Sequence, residues 1–339
     1  QTEGDLCKKC IVVKHKEVVM VNLEDIKCAA KRIANYVHRT PILHSDSISK
    51  MAGTDIYFKC ENLQKTGSFK ARGAFNRLLM LTDEEKARGV VCYSSGNHAQ
   101  AVSYAASVLG IKAWVFMPET AVAAKAAACR GYGAKVILYG KTGADAYPKA
   151  IECMKEKNLV YIDPVEDYGI MSGQGTAGLE ITEDLPDADA VYVPVGGGGL
   201  ITGVSAAVKS VLPGVKVIGV EPENMNCVGA SFAAEKITKI ERKYSIADGL
   251  AGDSPGEKAF EGVIKNVDEM ITVSDDEIEK ALTLIIYRTK MFIEPSAAVA
   301  LAGLMSGRAF KGRKNVCLLS GGNADLKIMA DIFAKNAVN

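Results

Sequence analysis

The stretch that decides the fold is Val191-Tyr-Val-Pro-Val195 followed by Gly196-Gly-Gly-Gly199-Leu200, which then runs on for eleven residues of helical composition. A strand that ends in bare backbone and opens a helix is the junction at which open α/β sheets hold their ligands. Glycines let the main chain approach an anion closely, and a helix start offers free N–H groups and the positive end of the dipole. One glycine suffices for a tight turn; four predict a phosphate cup at Gly196, Gly197, Gly198 and Gly199. It is not a Walker loop, because no Gly-Lys-Ser/Thr follows.

Working outward, β-branched runs at 90–93, 113–117, 135–138, 159–162, 191–195, 216–220 and 315–319 alternate with helical stretches such as 101–109, 200–211 and 275–291. Such alternation predicts an α/β protein with open, largely parallel twisted sheets and helices on both faces. The length of 339 residues favours two lobes. The expected division is a large domain of 22–88 and 161–335, a small mobile domain of 89–160, and a poorly ordered extension at 1–21. A net charge of +1 gives no reason to expect a nucleic acid or an anionic membrane as partner. No apolar run is long enough to span a bilayer, and no signal-peptide layout is present. The cysteines are scattered and odd in number, which suits reduced thiols in a cytoplasmic enzyme. Cys7 and Cys10 form a lone C-x-x-C without the further ligands that zinc requires. The alanine-rich segment 121–130 reads as a helix and nothing more.

Two further junctions share the small-residue character. Val90-Val-Cys-Tyr93 leads into Ser94-Ser-Gly-Asn-His98, whose hydroxyls and bare N–H groups at a helix start suit a carboxylate. Val316-Cys-Leu-Leu319 leads into Ser320-Gly-Gly-Asn323. By contrast, Gly173-Gln-Gly-Thr-Ala-Gly178 matches the dinucleotide fingerprint but fails its context. No strand precedes it and no acidic residue follows at the required distance.

The stretch Glu61-Asn-Leu-Gln-Lys-Thr-Gly-Ser-Phe-Lys70-Ala-Arg-Gly-Ala, the 94–98 loop, the four glycines and the Ser320–Asn323 loop together resemble the fold-type II pyridoxal-phosphate family. The likeness is to its threonine dehydratase and serine racemase branch, and it runs from about Leu23 to Phe333. It implies pyridoxal 5'-phosphate carried on Lys70, which also serves as the proton-transferring base, with Phe69 behind the cofactor ring. Asn97 is then the partner of the phenolic oxygen, Glu294 the acidic residue near the ring, and Ser320 the group facing the ring nitrogen. A neutral hydroxyl there leaves the nitrogen unprotonated and keeps charge near Cα, which suits loss of a β-hydroxyl. Ser94, Ser95, Gly96 and His98 match the substrate-carboxylate loop.

The expected reaction is β-elimination of L-threonine or L-serine to a 2-oxo acid and ammonia, with serine racemisation as alternative and 3-hydroxyaspartate as a further substrate. A homodimer is expected. The chain stops shortly after the last motif, which suggests a catabolic enzyme without a regulatory domain. Ser95 resembles the second base that racemases use, whereas Ala146 stands where animal racemases resemble one another in having arginine. Glu221 and the Met225 carbonyl match two ligands of the family's cation, but Cys227 replaces the third. A monovalent or weakly bound divalent cation is the expectation.

Overall fold

The structure is a computed structural model that describes residues 20–336. The Cys7–Cys10 pair and the first nineteen residues of the expected extension lie outside the described residues; Val21, at its end, is buried. The described residues form ten strands: β1 Ile42–His44, β2 Asp55–Cys60, β3 Val90–Tyr93, β4 Ala113–Met117, β5 Lys135–Leu138, β6 Val160–Tyr161, β7 Ala190–Pro194, β8 Lys216–Pro222, β9 Glu269–Val273 and β10 Lys314–Leu319. They form a six-stranded sheet of order β1-β2-β10-β7-β8-β9 and a four-stranded sheet of order β5-β4-β3-β6. All neighbours are parallel except β1 and β2. The crossovers that parallel pairing demands are helices, so both faces of each sheet are covered.

That double burial explains the composition of the strands. Every residue of β7 is buried. One face of the large sheet packs Tyr192, Val220 and Leu319 against helix Pro295–Ser306, and the other packs Val193, Val217 and Val316 against helix Gly199–Val211. The small sheet packs Val90, Cys92 and Val115 on helix Asn97–Val108, joined by Phe75 and Leu78 of helix Lys70–Leu79. The alanine-rich segment forms helix Ala123–Gly131 as its propensity predicts.

The glycines of 173–178 lie inside helix Tyr168–Asp184 and bind nothing at a strand end. A Cβ at Gly173 would meet the Arg72 carbonyl at 2.5 Å and Gly73 Cα at 2.7 Å. One at Gly175 would meet the Gly203 carbonyl at 2.8 Å. These glycines let one helix press against two others, Lys70–Leu79 and Gly199–Val211, and both of those start at the cavity described next. Among the described residues no helix is long and apolar enough to cross a membrane.

Candidate active site

The C-terminal ends of β3, β7 and β10 and the segment after β2 converge on a cavity of about 290 Å³. Its wall includes Phe69, Lys70, loop 94–98, Gly196 to Gly199, Glu294 and Ser320. Every one of the anticipated cofactor and substrate residues is therefore in one place.

Lys70 opens its helix, and its Nζ donates to the Pro164 carbonyl at 3.2 Å. The amine stands 5.0 Å from the centre of the Phe69 ring. Burial lowers its pKa to about 8, with Asp163 opposing the shift. The start of this helix is fixed from below by Arg72, whose buried guanidinium donates to both oxygens of Glu61 at 2.8 Å and to Glu180. From the side, Phe69 N donates to the Ser320 carbonyl and Gly322 N to the Gly67 carbonyl, so the Lys70 segment and the Ser320 loop are laced together.

The glycine loop fits a phosphate. Gly198 has φ +97°, a conformation few other residues adopt, and a Cβ at Gly197 would meet Val165 at 2.8 Å. Helix Gly199–Val211 starts without a side-chain cap, so its first N–H groups are left for a ligand. Opposite, Asn97 Nδ2 donates to Glu294 Oε1 at 2.7 Å and its Oδ1 accepts from Asn323 at 2.8 Å. A primary amide has two N–H groups, so one remains for a ring substituent. Burial raises the Glu294 carboxyl to about 7, while Lys125 pulls it down and Asp248 pushes it up. Gly321 is required beside it, since a Cβ there would lie 2.4 Å from Glu294 Oε1. Buried Ser68 Oγ and Thr66 Oγ1, flanking the lysine segment, have no partner. Taken together, the residues fit a phosphorylated aromatic cofactor bonded through a lysine.

Loop 94–98 departs in detail from a simple cap. Ser94 Oγ accepts from Gly96 N at 3.2 Å, and Gly96 is the N-cap of helix Asn97–Val108 without any side-chain cap bond. Ser95 does not cap the helix; it is exposed on the cavity wall. His98 is buried, with Nε2 donating to the Ile162 carbonyl at 3.0 Å and Nδ1 unpartnered. Burial, helped by the charge on Lys70, lowers its pKa to about 3, so the imidazole is neutral.

Glu221 lies behind the glycine loop. Its two oxygens accept from Val228 N at 2.9 Å and Gly229 N at 2.6 Å, and burial raises it to about 8. The neighbouring Cys227 Sγ faces the Gly196 carbonyl at 3.7 Å. A carboxylate engaged by backbone N–H groups beside a soft thiol is a poor donor set for a hard divalent ion. Lys125, Asp248, Arg242 and Asn323 were not among the anticipated residues, yet the first three line the cavity and Asn323 holds Asn97.

This geometry defines an α/β enzyme of the pyridoxal-phosphate class, and the chain belongs to the pyridoxal-phosphate dependent enzyme family, whose model matches residues 33–322. An L-threonine ammonia-lyase of Thermotoga maritima is 46% identical over 319 residues, 94% of this chain and 80% of that protein. The T.th. threonine deaminase superposes with a TM-score of 0.86 at 41% identity, over 90% of this chain and 99% of that one. Serine racemase from Dictyostelium discoideum gives a TM-score of 0.84 at 40% identity, over 91% and 100%.

Proposed function

We propose that the chain removes the β-hydroxyl of L-threonine or L-serine as water, and that the resulting enamine hydrolyses to a 2-oxo acid and ammonia. The observation that carries this reading is the desolvated Lys70 amine between a phosphate cup and a carboxylate loop. A pKa near 8 leaves about a tenth of the amine neutral at pH 7, against well under a thousandth for an ordinary lysine. The naming of relatives at this identity as threonine ammonia-lyases or deaminases supports it. Bound pyridoxal phosphate would supply the electron sink that acidifies the Cα proton. Lys70 Nζ takes that proton as base. Gly196 to Gly199 would hold the phosphate, Phe69 would back the ring, and Asn97, fixed by Glu294 and Asn323, would reach the phenolic oxygen. Ser320, buried on the cavity wall, would face the ring nitrogen with a hydroxyl, which would keep electron density near Cα and favour expulsion of the β-oxygen. At Glu221 and the Met225 carbonyl we assign at most a monovalent or weakly bound divalent ion. We further propose that the 89–160 segment moves as a small lobe, that the enzyme is a homodimer, and that it is cytoplasmic. The scattered, odd-numbered cysteines of the sequence support the last point.

Racemisation of serine is the second reading, favoured by the exposed Ser95 hydroxyl on the cavity wall. Two-face proton exchange needs a second group besides Lys70, and elimination does not. The cofactor-loaded protein should release ammonia and 2-oxo acid in equal amounts from L-threonine or L-serine; release of neither would overturn the proposal. Ser95→Ala should keep pyruvate formation from L-serine and abolish any conversion to D-serine, read by chiral chromatography. Equal loss of both would place Ser95 in substrate binding instead.

A further inference from the structure

We propose that Lys125 is a substrate-recognition residue whose ammonium, held over Gly96 by Asp248, takes the amino acid's α-carboxylate together with loop 94–98. The inference rests on the ammonia-lyase reading and deepens it. Lys125 stands on helix Ala123–Gly131, packed with the small sheet, and its Nζ lies 3.2 Å from Asp248 Oδ2 on the turn Asp248–Leu250. A Cβ added at Gly96 would be 4.0 Å from that Nζ. The ammonium is therefore placed between the large-sheet side of the cavity and the N-cap of helix Asn97–Val108.

The charge inventory makes the assignment. A helix start carries only about half a positive charge, so a carboxylate leaving water gains further stabilisation from a full one beside it. Among the described residues, three cationic side chains line the cavity: Lys70, Lys125 and Arg242. Lys70 belongs to the cofactor, and Arg242 is exposed, where water and salt screen it. Lys125 has only 10% of its side chain exposed, whereas Asp248 has 52%. The cation is already desolvated and its present partner is not. Turning from Asp248 to a substrate carboxylate thus returns an exposed carboxylate to water at little cost, because half-exposed ion pairs are weak. The other carboxyl facing Lys125, Glu294, is felt through charge without a direct ion pair and has Oε1 engaged by Asn97.

The test measures binding to the cofactor-loaded enzyme by the cofactor's absorbance, using two unreactive probes, L-alanine and 2-aminoethanol, which lacks the carboxylate. Lys125→Met should raise the Kd of L-alanine by about 10- to 100-fold and leave that of 2-aminoethanol within about threefold. Lys125→Arg should keep most of the L-alanine affinity. Asp248→Asn, which removes the competitor, should tighten L-alanine a few-fold. Weakening of both probes alike by Lys125→Met, or weakening of L-alanine by Asp248→Asn as large as that by Lys125→Met, would show a mere strut and overturn the proposal. If Lys125→Met does not fold, the Lys125→Arg and Asp248→Asn comparison still decides. Failure of the ammonia-lyase reading would instead show in the wild type, as no ammonia from threonine, with these binding constants untouched.

Discussion

Two glycine-rich segments do opposite work in this molecule. In 173–178 the missing side chains let helices touch backbone to backbone, with Gly173 against Gly73 and Gly175 against Gly203. In 196–199 they leave N–H groups bare at a strand end, with Gly198 at a positive φ. The first set fixes the spacing of helices Lys70–Leu79 and Gly199–Val211; the second lines the cavity where we place the cofactor's phosphate. A motif read by composition cannot tell these apart. What precedes it can: β7 leads into the cup, and only a loop and a helix turn lead into 173–178.

The comparison breaks most readily at Gly173. Gly173→Val would force two helices apart, so we expect a loss of about 3 kcal/mol or more in urea unfolding, with cofactor affinity of the folded fraction little changed. Gly198→Val should do the reverse. We expect apo stability to fall by only about 1–2 kcal/mol, while cofactor binding, titrated on the apo form, weakens by about 100-fold. Equal effects of the two substitutions on both measurements would remove the distinction.

A smaller effect sharpens the contrast between a helix crossing made of backbone and a site lined with carboxyls. Glu294 and Glu221 titrate at about 7 and about 8 in the folded protein, above the unfolded value of about 4.3. Between those limits the folded state binds more protons than the unfolded one, so their contribution is present below pH 4.3 and is lost as pH rises to about 8. Glu294→Gln, which keeps an oxygen for Asn97, should remove on the order of 2–3 kcal/mol of the stability difference between pH 5 and pH 8. An unchanged difference, by chemical unfolding at the two pH values, would contradict the raised carboxyl.

Much of this was legible in the sequence, for identifiable reasons. β3, β4 and β5 match their apolar runs residue for residue: β3 and β4 are almost wholly buried and read as continuous apolar stretches, while β5, a half-exposed edge, is marked by its Val-Ile-Leu run. β1, β2 and β9 escaped. β1 is three residues long and mostly exposed, β2 carries buried Lys59 paired with Glu180, and β9 is a half-buried edge. Residues in motifs at strand ends could be picked out in the sequence, and the structure gathers them on one cavity. Lys125 and Asp248 could not be, since an alanine-rich helix and a lone aspartate acquire meaning only from the tertiary contact between them. The role of Gly173 was equally hidden, because its partner Gly73 is a hundred residues away.

Two lysines line the cavity, Lys70 and Lys125, and only one of them carries the cofactor. Borohydride reduction of the yellow holoenzyme followed by peptide mass spectrometry reads the answer directly. The cofactor mass should be found on the peptide containing Lys70, and Lys70→Ala should lose the label, the visible absorbance and ammonia release together. A label on Lys125 or any other lysine would contradict it.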